Sequence, residues 1–193
     1  MLMSDIVKAQ EAYLSGVSYQ VSIPNSGLKE FIDKESYRGF NAQSRLIINK
    51  TASVGFQTGI YPFLEKSNGT FISPDDGAEV TGTRVRYINT IPLMFNGHLY
   101  LGDGIGGFSP YVGTGIGALV SLERTDIGVF AIQNNNWHFG FEPEIGVFAP
   151  IADNIQLNIA IKYTHAIATD DSLKIRYWGI SLGIFWLDYP LGP

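Results

Sequence analysis

Lys174 to Leu187 reads K-I-R-Y-W-G-I-S-L-G-I-F-W-L. From Trp178 onward the even positions are Trp178, Ile180, Leu182, Ile184 and Trp186, and the odd positions between them are Gly179, Ser181, Gly183 and Phe185. Alternation at period two is the signature of a β-strand with two unlike faces. One face is apolar and ends in tryptophan on both sides, while the other is mostly small. An apolar row bracketed by aromatics suits a strand that meets lipid along its length and the membrane interface at its ends. Its position near the end of the chain predicts the closing strand of a barrel.

The same alternation runs through the rest of the chain. Gly16–Ile23 places Val17, Tyr19, Val21 and Ile23 opposite Ser18, Gln20 and Ser22; Tyr37–Ile48 places Phe40, Ala42, Leu46 and Ile48 opposite Gly39, Asn41, Gln43 and Arg45. Ser53–Glu65 sets Val54, Phe56, Ile60 and Leu64 against Gln57 and Glu65, and Thr83–Leu101 sets Val85, Tyr87, Leu93, Phe95 and Leu99 against Arg84, Arg86, Asn96 and His98. Pro92 inside that segment predicts a bulge or kink. Pro110–Glu123, Trp137–Phe148 and Ile155–Ala166 follow the rule, the last with Ile155, Leu157, Ile159 and Ile161 against Gln156, Asn158 and Lys162. With the closing strand the expected count is eight.

Composition agrees with a chain that shows little charge to its surroundings. Of 193 residues 16% are charged, where soluble domains carry roughly 25%, and 13% are aromatic. The net charge of −5 and the lack of any Lys/Arg run argue against a nucleic-acid partner. Cysteine is absent, which excludes disulfides and thiolate metal sites. No apolar run nears the roughly 18 to 20 residues of a membrane helix, so insertion would have to use strands. A soluble eight-stranded barrel of the lipocalin kind is the competing architecture. Its polar face would meet water and carry abundant Lys and Glu, whereas the polar face here is Gly, Ser, Asn, Gln and Thr with scattered charge. That face suits a narrow lumen. Trp137, Tyr163, Trp178 and Trp186 suit interfacial girdles.

The expected division is a tail or short helix over residues 1–15, a barrel over 16–187 and a C-terminal tail over 188–193. Met1–Gly16 has no basic start followed by an apolar core, so it is not a secretory signal, and the chain reads as a mature or trimmed one. Tight links at Asn49–Ala52, Gly102–Ser109 and Pro150–Asn154 alternate with mostly longer ones at Pro24–Ser36, Lys66–Gly82, Arg124–Asn136 and Ile167–Leu173. That alternation puts both termini on the tight-turn side, which in transmembrane barrels is the periplasm.

The stretches G-V-S-Y-Q-V-S-I-P from Gly16, F-I-D-K-E-S-Y-R-G-F-N from Phe31, S-P-Y-V-G-T-G-I-G-A from Ser109 and the aromatic-closed last strand resemble small eight-stranded outer-membrane β-barrels of the OmpA transmembrane-domain or opacity-protein type. The stretch from Phe31 to Phe40 looks like versions from Bacteroidetes-type bacteria. The resemblance spans Gly16 to Leu187 and implies an all-β, up-and-down antiparallel barrel in the outer membrane of a Gram-negative cell, with outer-membrane lipid and other outer-membrane proteins as partners. It implies no cofactor and no catalytic signature. The chain departs from the pattern in running on past Trp186 as D-Y-P-L-G-P, where a final aromatic is usual.

Candidate chemistry is sparse. Gly102, Gly104 and Gly107 match a dinucleotide-binding spacing, but a Ser-Pro pair and a strand follow instead of the helix that would hold a pyrophosphate. No two histidines stand at metal-ligand spacing. Asn68-Gly69-Thr70 spells a glycosylation sequon that a bacterial chain would not use. For a catalytic cluster at the outer rim, which would need a Ser, a His and an acid, His138, Asp126 and Ser172 are the candidates proposed. The charged residues of the polar face, Arg45, Glu65, Arg84, Arg86, Glu123, Glu142, Glu144 and Lys162, are expected to pair inside the lumen and plug it. The reading is a non-enzymatic membrane barrel with a structural or interaction role, alone or as a subunit of a larger outer-membrane complex; an outer-rim enzyme and a small porin-like pore are the alternatives.

Overall fold

The computed structural model describes residues 12–72, 79–102, 104–127, 130–167 and 173–188. It contains β1 (Ala12–Asn25), α1 (Ser26–Phe31), β2 (Ser36–Asn49), β3 (Ala52–Ile72), β4 (Glu79–Tyr100), β5 (Ser109–Ile127), β6 (Phe130–Ala152), β7 (Ile155–Ile167) and β8 (Arg176–Asp188). Each strand pairs antiparallel with the next and β8 pairs with β1, so the sheet closes.

The register sets the shape. A line of paired residues starts at Ser15 and passes through Ser44, Phe56, Phe95, Ile116, Phe141, His165 and Arg176. It returns to β1 at Asn25, ten residues from where it began. A stagger of this size around eight strands tilts them by about 40° and leaves an interior that side chains can fill. Each residue then rises about 2.5 Å along the barrel axis, given roughly 3.3 Å per residue along the strand.

Burial follows the expected parity on every strand. On β8 Tyr177, Ser181, Phe185 and Leu187 are buried, while Trp178, Ile180, Leu182, Ile184 and Trp186 are exposed. The exposed residues of all eight strands form an apolar belt, from Tyr13 and Trp186 at the terminal end to Ile23 and Trp178 at the other, about 25 Å tall by the rise above. Tyr163 packs on Trp178 at 4.7 Å between ring centres at the far edge, and Trp137 stands just beyond it, past the last pairing of β6 with β7 at Ile167. On this face Ser15 and Ser44 share a hydrogen bond of 2.9 Å. In lipid an unpaired hydroxyl would have no water to replace its partner.

Four findings refine the expected layout. The first strand starts at Ala12, so Ala12 to Ser15, placed with the tail, belong to the barrel wall; Ala12 and Leu14 point inward and are buried. Residues 1–11 and 189–193 lie outside the described residues, and Asp188 still pairs with Tyr13. The links Lys66–Gly82 and Arg124–Asn136 are for the most part continued strand, with β3 pairing β4 out to Ile72–Glu79 and β5 pairing β6 out to Ile127–Phe130. The alternation there is weak because both faces leave the lipid. Pro92 makes no bulge: the β3–β4 register is the same on both sides of it, and Pro92 still stands opposite Leu119 on β5. A missing N–H leaves a gap in one ladder without shifting it.

The interior is layered. Near the termini Leu14, Tyr100, Tyr111, Phe148, Phe185 and Leu187 form one apolar cluster. At the far end Leu28, Ile32, Tyr61, Phe63, Ile88, Leu119, Ile175 and Tyr177 form another. Leu28 and Ile32 come from α1 and its C-cap, so the β1–β2 connection folds into the mouth of the barrel. Asn25 caps the helix by accepting from Ser26 N at 2.8 Å. Gly146 lets the terminal cluster close, since a Cβ there would lie 2.7 Å from the Tyr111 ring. In the β4–β5 turn Gly104 has φ +77°, a left-handed conformation, and a Cβ there would meet Lys50 O at 2.6 Å. The glycine spacing read at 102–107 therefore serves a strand-to-strand turn.

The belt makes a direct prediction. Leu182→Arg, at mid-belt, should destabilise the folded protein in lipid by about 2–4 kcal/mol, whereas Gln133→Arg, on the outward face beyond the belt, should cost about 0–1 kcal/mol. Urea unfolding in lipid vesicles, read by the heat-modifiable gel shift, checks this; equal midpoints for the two variants would contradict the belt.

Candidate functional site

Between the two apolar clusters lies a polar layer whose charges come from β2, β6 and β7. Inward parity places Arg45, Glu142, Glu144 and Lys162 in it, each nearly sealed from solvent at 1–3% exposure. Arg45 Nη2 donates to Glu144 Oε1 at 3.0 Å, and Lys162 Nζ lies 3.1 Å from Glu144 Oε2 and 3.7 Å from Glu142 Oε1. Two cations thus face two carboxylates at short range.

Neutral side chains complete the layer. Gln57 donates to Glu142 Oε1 at 2.7 Å and accepts from Gln43 and Lys162, each at 2.6 Å; Thr164 donates to Glu142 Oε2 at 2.6 Å. Gln43 accepts from Arg45 Nη2 at 2.7 Å, and His98 Nε2 lies 2.8 Å from Glu144 Oε1. The Arg45 guanidinium also sits over the Tyr111 ring at 4.8 Å and the Phe148 ring at 5.2 Å, which joins the polar layer to the terminal cluster. Each charge so placed has both an opposite charge and hydrogen-bond partners, the condition under which burial of ions is tolerated.

The other four charged residues expected in this network sit elsewhere. By the strand rise, Arg86 lies roughly 20 Å further along the axis than Glu142, out of reach of the central carboxylates. Arg86 donates to Phe31 O at 2.9 Å and stacks on the Phe31 ring at 4.9 Å, and Glu65, opposite Arg86 in the register, accepts from Asp33 N at 2.7 Å. This pair holds the β1–β2 connection in place at the mouth. Arg84 stands opposite Ser67, further out still. Glu123 accepts from Ser121 at 3.2 Å and from Asn136 at 3.4 Å.

The residues considered for an outer-rim catalytic cluster are not brought together. His138 faces inward and is buried, with Nε2 3.2 Å from Ser121 Oγ, whereas Asp126 is on the opposite face of the sheet and pairs with Arg124 at 2.8 Å. Ser172 lies outside the described residues. The acid nearest this histidine, Glu123, bonds the serine rather than the imidazole, so it does not orient the ring as a general base requires. Among the described residues no group of three or more His, Asp or Glu side chains is gathered to hold a metal ion.

Beyond the belt, the outer parts of β3 to β6 continue as a four-stranded antiparallel sheet. β2 and β7 pair with it only as far as Phe40–Ile60 and Phe139–Ile167, so the sheet projects past the rim of the barrel. Its outward face carries Tyr87, Asn89, Arg124, Gln133 and Asn135. The sequence places Lys66–Gly82 and Arg124–Asn136 in links and Tyr87 and Asn89 in a strand, and gives no sign that together they form a projecting surface.

A scan against protein-family models finds no match, and a search of curated proteins finds none. Solved structures do match in fold. Neisserial surface protein A aligns over 92% of this chain and 97% of its own, with a TM-score of 0.55 and 13% identity. The β-barrel domain of Pseudomonas aeruginosa OprF aligns over 93% and 98%, with a TM-score of 0.57 and 9% identity. Ail, the attachment invasion locus protein of Yersinia pestis, solved with the heparin analogue sucrose octasulfate, aligns over 92% and 98%, with a TM-score of 0.54 and 14% identity. The chain therefore has the fold of small eight-stranded outer-membrane barrels. At such identities the likeness is one of fold alone.

The central layer is testable by charge removal. Glu144→Gln leaves Arg45 and Lys162 without their shared carboxylate and should lower unfolding free energy by about 3–5 kcal/mol, whereas Arg45→Met combined with Glu144→Gln should recover most of that loss. Urea unfolding in micelles measures both; a double variant no more stable than the single one would mean that the pair is not the unit that matters.

Proposed function

We propose that this chain is an integral outer-membrane barrel whose lumen is closed and whose work is done by its projecting sheet, in a structural or interaction role. One observation carries the reading: both ends of the lumen are filled by apolar clusters, with a layer of paired charges between them. Such an interior offers no continuous water path. The plug is thus built differently from the one read in the sequence, where charge pairs alone were to fill the lumen.

The outer-membrane location is supported by the apolar belt with aromatics at its edges and by the fold of the similar structures. The periplasmic placement of both termini is supported by the contrast between the tight turns at their end and the hairpins at the other. Ail is named for attachment and invasion. For this chain the corresponding proposal is contact with another macromolecule, or with a larger membrane assembly, through the sheet of β3 to β6.

Two measurements test this reading. Planar-bilayer recordings of the purified protein should give no steady conductance; a large, stable one would replace the closed lumen with a pore. An epitope inserted between Ile127 and Phe130 should be labelled by antibody on intact cells, and labelling only after permeabilisation would reverse the orientation.

A further inference from the structure

Two depressions lie side by side on the outward face where the sheet leaves the belt. One, of about 560 Å³, is walled by Tyr87, Asn89, Arg124, Asp126, Gln133 and Asn135. The other, of about 330 Å³, adds Tyr37, Arg38 and Glu35, and it shares Tyr87 and Asn89 with the first. The two are therefore one groove that runs around the wall. The register explains its regularity: Asn89 stands opposite Leu122 and Leu122 opposite Asn135, while Tyr87 stands opposite Arg124 and Arg124 opposite Gln133. Two successive outward rows of the pleated sheet supply its floor.

Three features define what fits there. The volume lies in the range of small-ligand sites. The lining offers three side-chain amides, each with donors and an acceptor, beside tyrosines; Tyr37 is 63% exposed. It carries no surplus of cations: Arg124 Nε is held by both oxygens of Asp126 at 2.8 and 3.1 Å, Arg38 shares its depression with Glu35, and Glu123 also lines the first depression. Amides and aromatic rings without excess positive charge suit a polyhydroxylated ring compound, such as a sugar, better than a polyanion. The groove also opens sideways, roughly 5–15 Å above the upper edge of the belt by the strand rise. A ligand that reaches it from the side, with an apolar part against the belt below, is a membrane lipid.

We propose that this groove binds the saccharide headgroup of a membrane glycolipid whose acyl chains lie along the belt. This rests on the outer-membrane reading above and adds a ligand class and a site to it. The site would fix the barrel's lipid neighbour directly beneath the projecting sheet.

The test uses the purified full chain in phosphocholine micelles, free of sugar-based detergent, with purified lipopolysaccharide as probe and isothermal titration as readout. Saturable binding is expected, with phosphatidylglycerol vesicles giving no comparable signal. Asn89→Leu together with Asn135→Leu should weaken it at least tenfold, at about fivefold for each lost hydrogen bond, and Tyr87→Ala should weaken it too. Both changes lie on the outward surface, and an unchanged heat-modifiable gel shift verifies that the barrel is intact. Wild-type affinity in these variants would overturn the site. Equal binding of phosphatidylglycerol would overturn sugar recognition, and equal affinity for the acyl-free saccharide would overturn the lipid assignment. Binding in micelles is independent of which side of the membrane the hairpins occupy. A failure here with hairpins labelled on intact cells therefore refutes the groove alone, and binding with hairpins labelled only after permeabilisation refutes the orientation alone.

Discussion

Every backbone N–H and C=O within a bilayer must be paired by the chain itself, because hydrocarbon offers no substitute. For a sheet this means closure, and in this protein closure is the pairing of Tyr13–Asn25 with Arg176–Asp188 across the two ends of the chain. The remainder of the architecture follows from that contact. Its ten-residue stagger sets the tilt, the tilt sets the width, and the width leaves room for side chains and little else. Strand ends outside the hydrocarbon are free of this demand, which is why β3 to β6 can run beyond their neighbours while β2 and β7 stop.

The narrow lumen has a consequence for the charges inside it. Arg45, Lys162, Glu142 and Glu144 occupy one level; Glu144 is reached by both cations, and Glu142 by Lys162 and by the neutral donors Gln57 and Thr164. Ions taken out of water lose hydration that a single pairing seldom restores, so a partly satisfied set would weaken the barrel. Here Gln43 accepts from Arg45, and Gln57 and Thr164 donate to Glu142. The apolar clusters on either side keep water from competing with them. The interior thus resembles the core of a soluble domain with its polar part at the centre, and the lipid-facing belt takes the place of a polar surface.

The two ends of the barrel are built differently. At the terminal end the turns are short and a glycine-rich loop closes over Lys50. At the other end the β1–β2 connection is drawn into the mouth by Leu28 and Ile32 and held there by Arg86 and Glu65. On the closed-lumen proposal, what this end presents to its surroundings is the outward and upper surface of the projecting sheet. Its exposed amides and tyrosines and the Arg124–Asp126 ion pair make a surface suited to recognition.

Period two is a local property, and it was enough to assign a face to each residue: the parity read for Trp178 to Trp186, and for Arg45, Glu142 and Lys162, is the parity found. The count of eight strands and the charge-poor exterior come from the same local pattern. Height along the axis is another matter. It depends on the register between strands far apart in sequence, and nothing in the segments around Arg86 and Glu65 shows that they lie well beyond Glu142. For the same reason the sequence could list Tyr61, Tyr111, Phe148 and Tyr177 as inward-facing without showing that they gather into two apolar layers. The projecting sheet was hidden as well, because Lys66–Gly82 and Arg124–Asn136 leave the lipid and lose the one-sided hydrophobicity by which a strand is recognised. Alternation records which solvent each face meets; only closure of the sheet with its stagger decides which side chains share a level, and therefore which of them can interact.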